Sequence, residues 1–273
     1  MGLVINTNVP ALNTSRILRR STLDLNKSLQ RLSSGLRVNS AADDAAGLAI
    51  AEGFQSRVRG LQVSQRNAQD GINLVQTAEG ALSEMTSILQ RMRELSVQSA
   101  NGTNNATNRA SMQQEITQLV GQIDTIAFNT EFNGVSILSA NTTTTLQIGP
   151  DQGASNQLAV VTSLATAASL SVSTLTISTA AGALSAILTL DSAIDIVTSN
   201  RARLGATQNR LEFTINTLAI EEENSTASES AIRDANIASE TIKFTRNQIL
   251  VSAGTSVLAQ ANLVPQTALQ LLG

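Results

Sequence analysis

From Phe54 to Ser96, alternating steps of three and four residues land on Phe54, Val58, Leu61, Gln65, Ala68, Ile72, Val75, Ala78, Leu82, Met85, Leu89, Met92 and Ser96, and eleven of these thirteen are apolar. The mean step of 3.5 residues is the spacing that keeps one seam of a helix turned toward a partner in a left-handed coiled coil. A single helix from Ala45 to about Ser99 would run for about 80 Å at the usual rise per residue. That exceeds an ordinary globular domain, so an elongated, mainly helical architecture is predicted. Asp43 and Asp44 lie at the expected N-terminus, where carboxylates meet the positive end of the helix dipole, and Asn101-Gly102 is a sensible stop.

The same reading predicts a helix over Pro10–Leu32 with Leu12, Leu18, Leu25, Leu29 and Leu32 on one side, and another over Ala106 to about Phe128 with Ile116, Leu119, Val120, Ile123 and Ile126 as its stripe. Asn133-Gly134 signals a turn. Val135–Leu138, Thr145–Gly149 and Gln157–Val161 read as short strands, the last two joined by the turn Pro150-Asp151-Gln152-Gly153. Strand, loop and surface insert all stay open for Thr162–Ala183. Helical spacing returns at Leu184, Ile187, Ile194, Val197, Leu204, Leu211, Ile215 and Leu218, in a helix expected to end near Glu221-Glu222-Glu223. A last helix is expected over Ser230–Asn262, broken before Pro265. The fold class that results is mainly α: an elongated antiparallel helical bundle or coiled coil with a small β-hairpin region in the middle of the chain.

Composition narrows the function. Aromatics make up 2% of the 273 residues, so Leu, Ile, Val and Ala must build the core, and His, Cys, Trp and Tyr are missing altogether. Without imidazole or thiol there is no Ser-His-Asp triad, no Cys-His nucleophile and no ordinary zinc site. Glu94 near Arg91 and Arg93 reads as a solvated charge pair. Glu221–Glu223 is a weak cation candidate, because adjacent helical side chains diverge. Gly47, Gly53, Gly60, Gly71 and Gly80 lack phosphate-loop spacing and point instead to close helix approach or tolerated bending. No enzyme, cofactor or metal is expected.

A net charge of −3 argues against a general nucleic-acid binder. The charge is uneven: residues 1–40 carry six basic side chains against Asp24, and residues 191–230 carry seven acids against three arginines. No cleaved leader is expected, since polar Asn6 follows Leu3-Val4-Ile5 at once. Gln152–Leu190 has no charge but is too rich in Ser and Thr to read as a membrane span. Between Ser139 and Leu190 there are eighteen Ser or Thr residues and one charge, Asp151, so this part is expected to face solvent.

Specific motifs lie toward the two ends. Val4-Ile5-Asn6-Thr7-Asn8, the run Arg31-Leu32-Ser33-Ser34-Gly35-Leu36-Arg37-Val38-Asn39-Ser40-Ala41-Ala42-Asp43-Asp44-Ala45-Ala46-Gly47, and Leu89 through Ala100 resemble the N-terminal part of bacterial flagellin. Leu204-Gly205-Ala206-Thr207-Gln208-Asn209-Arg210-Leu211-Glu212 and Ala253 through Gln266 resemble its C-terminal part. The resemblance covers about residues 1–140 and 190–273, in the family's order.

That resemblance implies a structural subunit, secreted and extracellular, that polymerises with itself into the filament of the bacterial flagellum, exported unfolded and assembled at the tip. It implies that residues 1–43 and 226–273 form an inner-tube terminal coiled-coil domain, and that 44–225 form an outer-tube helical domain with the hairpin and the exposed Ser/Thr-rich part at about 130–183. Implied partners are other copies of the chain, a flagellar export chaperone, filament cap and junction proteins, and a host flagellin-sensing Toll-like receptor at Arg91, Leu95, Gln98 and Glu115; no nucleic acid and no membrane span are implied. Arg91 and Leu95 are one helical turn apart and are expected to share a face. The family commonly ends in a basic residue, whereas Gly273 follows Leu271-Leu272 here. A hook-filament junction protein and a secreted coiled-coil adhesin are the alternatives.

Overall fold

The computed structural model describes residues 7–270, with side chains through residue 263. The start of the Val4–Asn8 motif and the Leu271-Leu272-Gly273 end lie outside the described residues. Five helices, α1 (Val9–Ser34), α2 (Ala45–Ala100), α3 (Ala106–Asn129), α4 (Ala180–Arg233) and α5 (Ile237–Gln270), are joined by four short strands, β1 (Glu131–Phe132), β2 (Val135–Ser136), β3 (Thr142–Gln147) and β4 (Gln157–Thr162). The chain forms two compact units, one of Met1–Ser56 with Asn224–Gly273 and one of Arg57–Glu223.

In the second unit the seam of α2 is buried as its spacing predicts. Ten of the thirteen seam residues, from Leu61 through Ser96, are buried, and Phe54, Val58 and Gln65 are half-buried. Against them pack Met112, Ile116, Ile123 and Ala127 of α3 and Ala183, Ala186, Leu190, Ala193, Val197 and Leu204 of α4. The α4 residues follow the same three-four rhythm, which carries the small alanines inward and leaves Leu184 60% exposed, a correction to the stripe read from the sequence. α4 also runs on through the acidic run to Arg233. Glu221 pairs with Arg57 at 3.2 Å, and Glu222 accepts from Gln62 and Gln65 at 2.7 and 2.9 Å, so α2 satisfies two of the three acids and the helix continues past them.

Asn133 and Gly134 take left-handed φ of 53° and 74° and close the β1–β2 hairpin, which supplies a strand at Glu131–Phe132 that the sequence reading missed. β3 and β4 pair antiparallel from Thr142–Thr162 to Gln147–Gln157. Leu158, Val160 and Thr162 alternate inward along β4. This hairpin lies on α2 where α2 lacks side chains: a Cβ added to Gly60 would stand 2.9 Å from Pro150 Cβ, and one added to Gly71 would collide with Leu146.

The segment after β4 is not a surface insert. Ala165, Ala167, Leu170, Val172 and Ile177 are buried in the main core. Gln113 of α3 holds this irregular backbone at both ends of its amide, donating to Leu175 O at 3.0 Å and accepting from Ile177 N at 2.6 Å. Asp124 accepts from Ala167 N at 2.8 Å. Ser169, Ser171, Ser173, Thr174, Thr176, Ser178 and Thr179 remain exposed, whereas Thr162 and Thr166 are buried. Among the described residues α4 alone carries a stretch long and apolar enough to cross a membrane, and the inward face of that stretch is the core of this unit.

Candidate assembly surface

The terminal unit is organised around α1 and α5. Asn8 caps α1, its side chain accepting from Ala11 N at 3.1 Å. Gly35, at φ 72°, ends the helix with its N–H on Arg31 O at 2.9 Å. The chain then fastens to the end of α4: Arg37 N donates to Arg233 O at 2.6 Å and Ala235 N to Gly35 O at 2.8 Å.

The side of α1 that meets α5 is read from burial as Ala11, Thr14, Leu18, Ser21, Leu25, Ser28 and Leu32, again in steps of three and four. On α5 the matching row is Glu240, Phe244, Asn247, Val251, Gly254, Leu258 and Ala261. The helices run antiparallel, since Asn8 reaches Ala261, Leu18 faces Gly254, and Ser28 bonds to Glu240. Leu18, Leu25 and Leu32 therefore stand where the sequence places them, but Leu12 and Leu29 are 66% and 54% exposed and lie off the seam. Half of these fourteen seam residues are Ser, Thr, Asn, Gly or Ala, which allows close approach and conceals the pattern from a reading of large apolar residues. A seven-residue repeat that counts small residues along with leucines, starting at Ala11, would have found it.

The isoleucines of α5 face away from α1. Ile242 and Ile249 are each 62% exposed, and with Leu250, Ala238, Thr241 and Thr245 they line an open groove of about 710 Å³. On α1, Val9, Pro10 and Leu12 line another of about 660 Å³. The terminal unit thus has a polar-speckled seam inside and, outside, two separate apolar grooves edged by Arg246 on α5 and by Asn13 and Arg16 on α1. Exposed apolar grooves rimmed by polar residues mark interaction sites.

Charge is concentrated on the seam where α1 ends. Glu240 accepts from Lys243 at 3.1 Å and Lys27 pairs with Asp43 at 2.9 Å. Burial pushes the Glu240 carboxyl up, but the Ser28 hydroxyl, Lys243 and Arg31 together hold it below the usual carboxylate range. Lys27 does the same for Asp43 against partial burial, helped by Ser40.

In the second unit the four positions expected to meet a receptor divide. Arg91, Gln98 and Glu115 are exposed, and Arg91 joins Glu115 at 2.9 Å and Glu94 at 3.2 Å. Leu95 is 2% exposed and belongs to the core. Arg91 and Leu95 do not share an accessible face: Leu95 is buried beside the seam residues Met92 and Ser96, whereas Arg91 is exposed.

The profile of the bacterial flagellin N-terminal helical region matches residues 5–143, and that of the C-terminal helical region matches residues 187–272. The chain belongs to the bacterial flagellin family. It is 45% identical to a flagellin of Halalkalibacterium halodurans over 271 residues, covering 99% of this chain and 100% of that protein. It is 44% identical to the flagellar filament 33 kDa core protein of Treponema phagedenis, covering 99% of this chain and all of the relative. The crystal structure of Bacillus cereus flagellin aligns with a TM-score of 0.50 at 37% identity, over 56% of this chain and 88% of that one. Flagellins are structural proteins of the filament, and this chain is a structural subunit and not an enzyme. Full-length matches to filament proteins favour neither a junction protein nor an adhesin.

Proposed function

We propose that this flagellin-family chain polymerises with itself outside the cell, the ends at 1–43 and 226–273 making the inner tube of the filament around an export channel and 44–225 making the outer tube. What supports this is the outward apolar surface of α1 and α5, with Ile242 and Ile249 each 62% exposed. The seam between the two helices is too small-chained to offset the roughly 1 to 2 kcal/mol per residue of backbone ordering. Neighbouring subunits would cover the outer surface and complete the folding of both ends, which is coupled folding and association. Ends that order only on assembly also suit export as an unfolded chain. An export chaperone would shield them beforehand, and cap and junction proteins would meet them at the filament's ends. A host flagellin-sensing Toll-like receptor would read Arg91, Gln98 and Glu115, with Leu95 supporting them from beneath.

Limited proteolysis tests the reading. A dilute monomer should lose both ends and leave a resistant core of residues 45 to 225 or close to it, filaments should resist, and the trimmed core should not polymerise. Protected ends in the monomer, or filaments of trimmed core, would refute it.

A further inference from the structure

α5 continues through Pro265 to Gln270, where the sequence reading expects it to break. A proline has no N–H, so the carbonyl one turn earlier, that of Ala261, has no donor in its own helix. It accepts instead from the Asn8 side chain, Nδ2 to O at 2.7 Å, across 253 residues of sequence. The other end of that amide caps α1, Oδ1 accepting from Ala11 N at 3.1 Å. Asn8 therefore marks where α1 begins and touches the one carbonyl that proline frees inside α5.

The pair needs such a mark. Ala11, Leu18, Leu25 and Leu32 recur every seven residues, as do Thr14, Ser21 and Ser28, so a slip of seven replaces like with like along much of the seam. A polar contact at one position is a known way to select one alignment of a coiled coil. We propose that Asn8 and Pro265 act together as a register pin: proline exposes one carbonyl of α5, the Asn8 amide claims it, and only the alignment that joins them is the one a growing filament accepts. The last clause rests on reading α1 and α5 as the assembly surface; the pin itself does not. Asn8 is a positioning residue, acting through the helix pair.

The test is a double-mutant cycle on the full chain. Asn8→Ser keeps a capping oxygen but has no amide to reach Ala261. Pro265→Ala restores the N–H within α5, so Ala261 no longer needs Asn8. The readout is the effective concentration, against glutathione, of a disulfide between Leu18→Cys and Gly254→Cys in a chain otherwise without cysteine. A Cβ built at Gly254 stands 3.8 Å from Leu18 Cβ, a separation suited to a disulfide. Asn8→Ser should lower that effective concentration about five-fold, the ratio that one hydrogen bond of ordinary net strength sets, and should change nothing once Pro265→Ala is present. In filaments the critical concentration should rise by the same factor and show the same dependence on residue 265. An equal effect of Asn8→Ser in both backgrounds would reduce Asn8 to a cap and overturn the pin, as would no effect in either or no disulfide in the parent chain. The disulfide is read in filaments and also in monomer, where it traps the transiently paired ends and reports the same ratio between variants at a lower effective concentration. A parent chain that forms it but never polymerises would therefore count against the assembly reading and leave the pin standing.

Discussion

The Arg31 guanidinium of α1 lies 4.0 Å from the Glu240 carboxylate of α5, whose side chain is 6% exposed. The same guanidinium lies 4.0 Å from Asp43 in the loop that follows α1. One cation thus links a helix, its partner helix and the return of the chain. Asp24, Lys27, Lys243, Arg246 and Asn247 complete the surrounding hollow.

Both carboxyls are held below their ordinary range in the folded unit. A lowered folded value means stability that is fully present above the unfolded value and is lost as pH falls through the folded one. Filaments are therefore expected to keep α1 and α5 protected against hydrogen exchange from pH 7 to about 5, and to lose that protection below about 4. Glu240→Gln should weaken protection at pH 7 and flatten the acid limb. A limb unchanged in Glu240→Gln would show that the network does not set it.

Receptor recognition and core stability should separate at neighbouring positions. Leu95 is 2% exposed, so Leu95→Ala should cost about 2 to 5 kcal/mol as a core truncation, seen as a lowered denaturation midpoint. Arg91 is on the surface, and Arg91→Ala should leave the midpoint in place while reducing receptor activation by monomers. Full activation by Arg91→Ala would remove the surface patch, and an unchanged midpoint for Leu95→Ala would contradict its burial.

The two coiled seams differ in how plainly they can be read. That of α2 is legible because Leu, Ile, Val and Met occupy it. That of α1 and α5 is hidden because Ser21, Ser28, Asn247 and Gly254 occupy it, while the isoleucines that dominate a hydropathy reading point outward. The run past Glu221–Glu223 and the run past Pro265 fail to show for one reason: the groups that make them tolerable, Arg57 with Gln62 and Gln65 in one case and Asn8 in the other, lie far away in sequence. Thr162–Ala183 has no regular period because Gln113 and Asp124, not a ladder of its own, satisfy part of its backbone. The resemblance puts the proposed receptor positions on α2 and α3, but spacing by a single turn of helix is too coarse to say that Leu95 lies inside.

The glycines of α2 give a test with two signs. In a helix interior Gly→Ala ordinarily stabilises by about 1 kcal/mol. At Gly80 a built Cβ meets nothing within 4 Å, so Gly80→Ala should raise the melting midpoint of the monomer by about 2 to 4 °C, the shift such an energy makes in a unit of this size. At Gly60 the same Cβ would stand 2.9 Å from the Pro150 Cβ and 3.5 Å from its Cα. A proline ring cannot swing aside as a long side chain does, so the β3–β4 hairpin must lift from α2. Overpacking of this kind costs about 1 to 3 kcal/mol, which exceeds the helical gain. Gly60→Ala should therefore lower the midpoint and loosen the small cluster of Ala68, Ile72, Leu158 and Leu211 beneath the hairpin, visible as faster exchange of the β4 amides. A raised midpoint for Gly60→Ala would mean that the hairpin does not rest on that glycine.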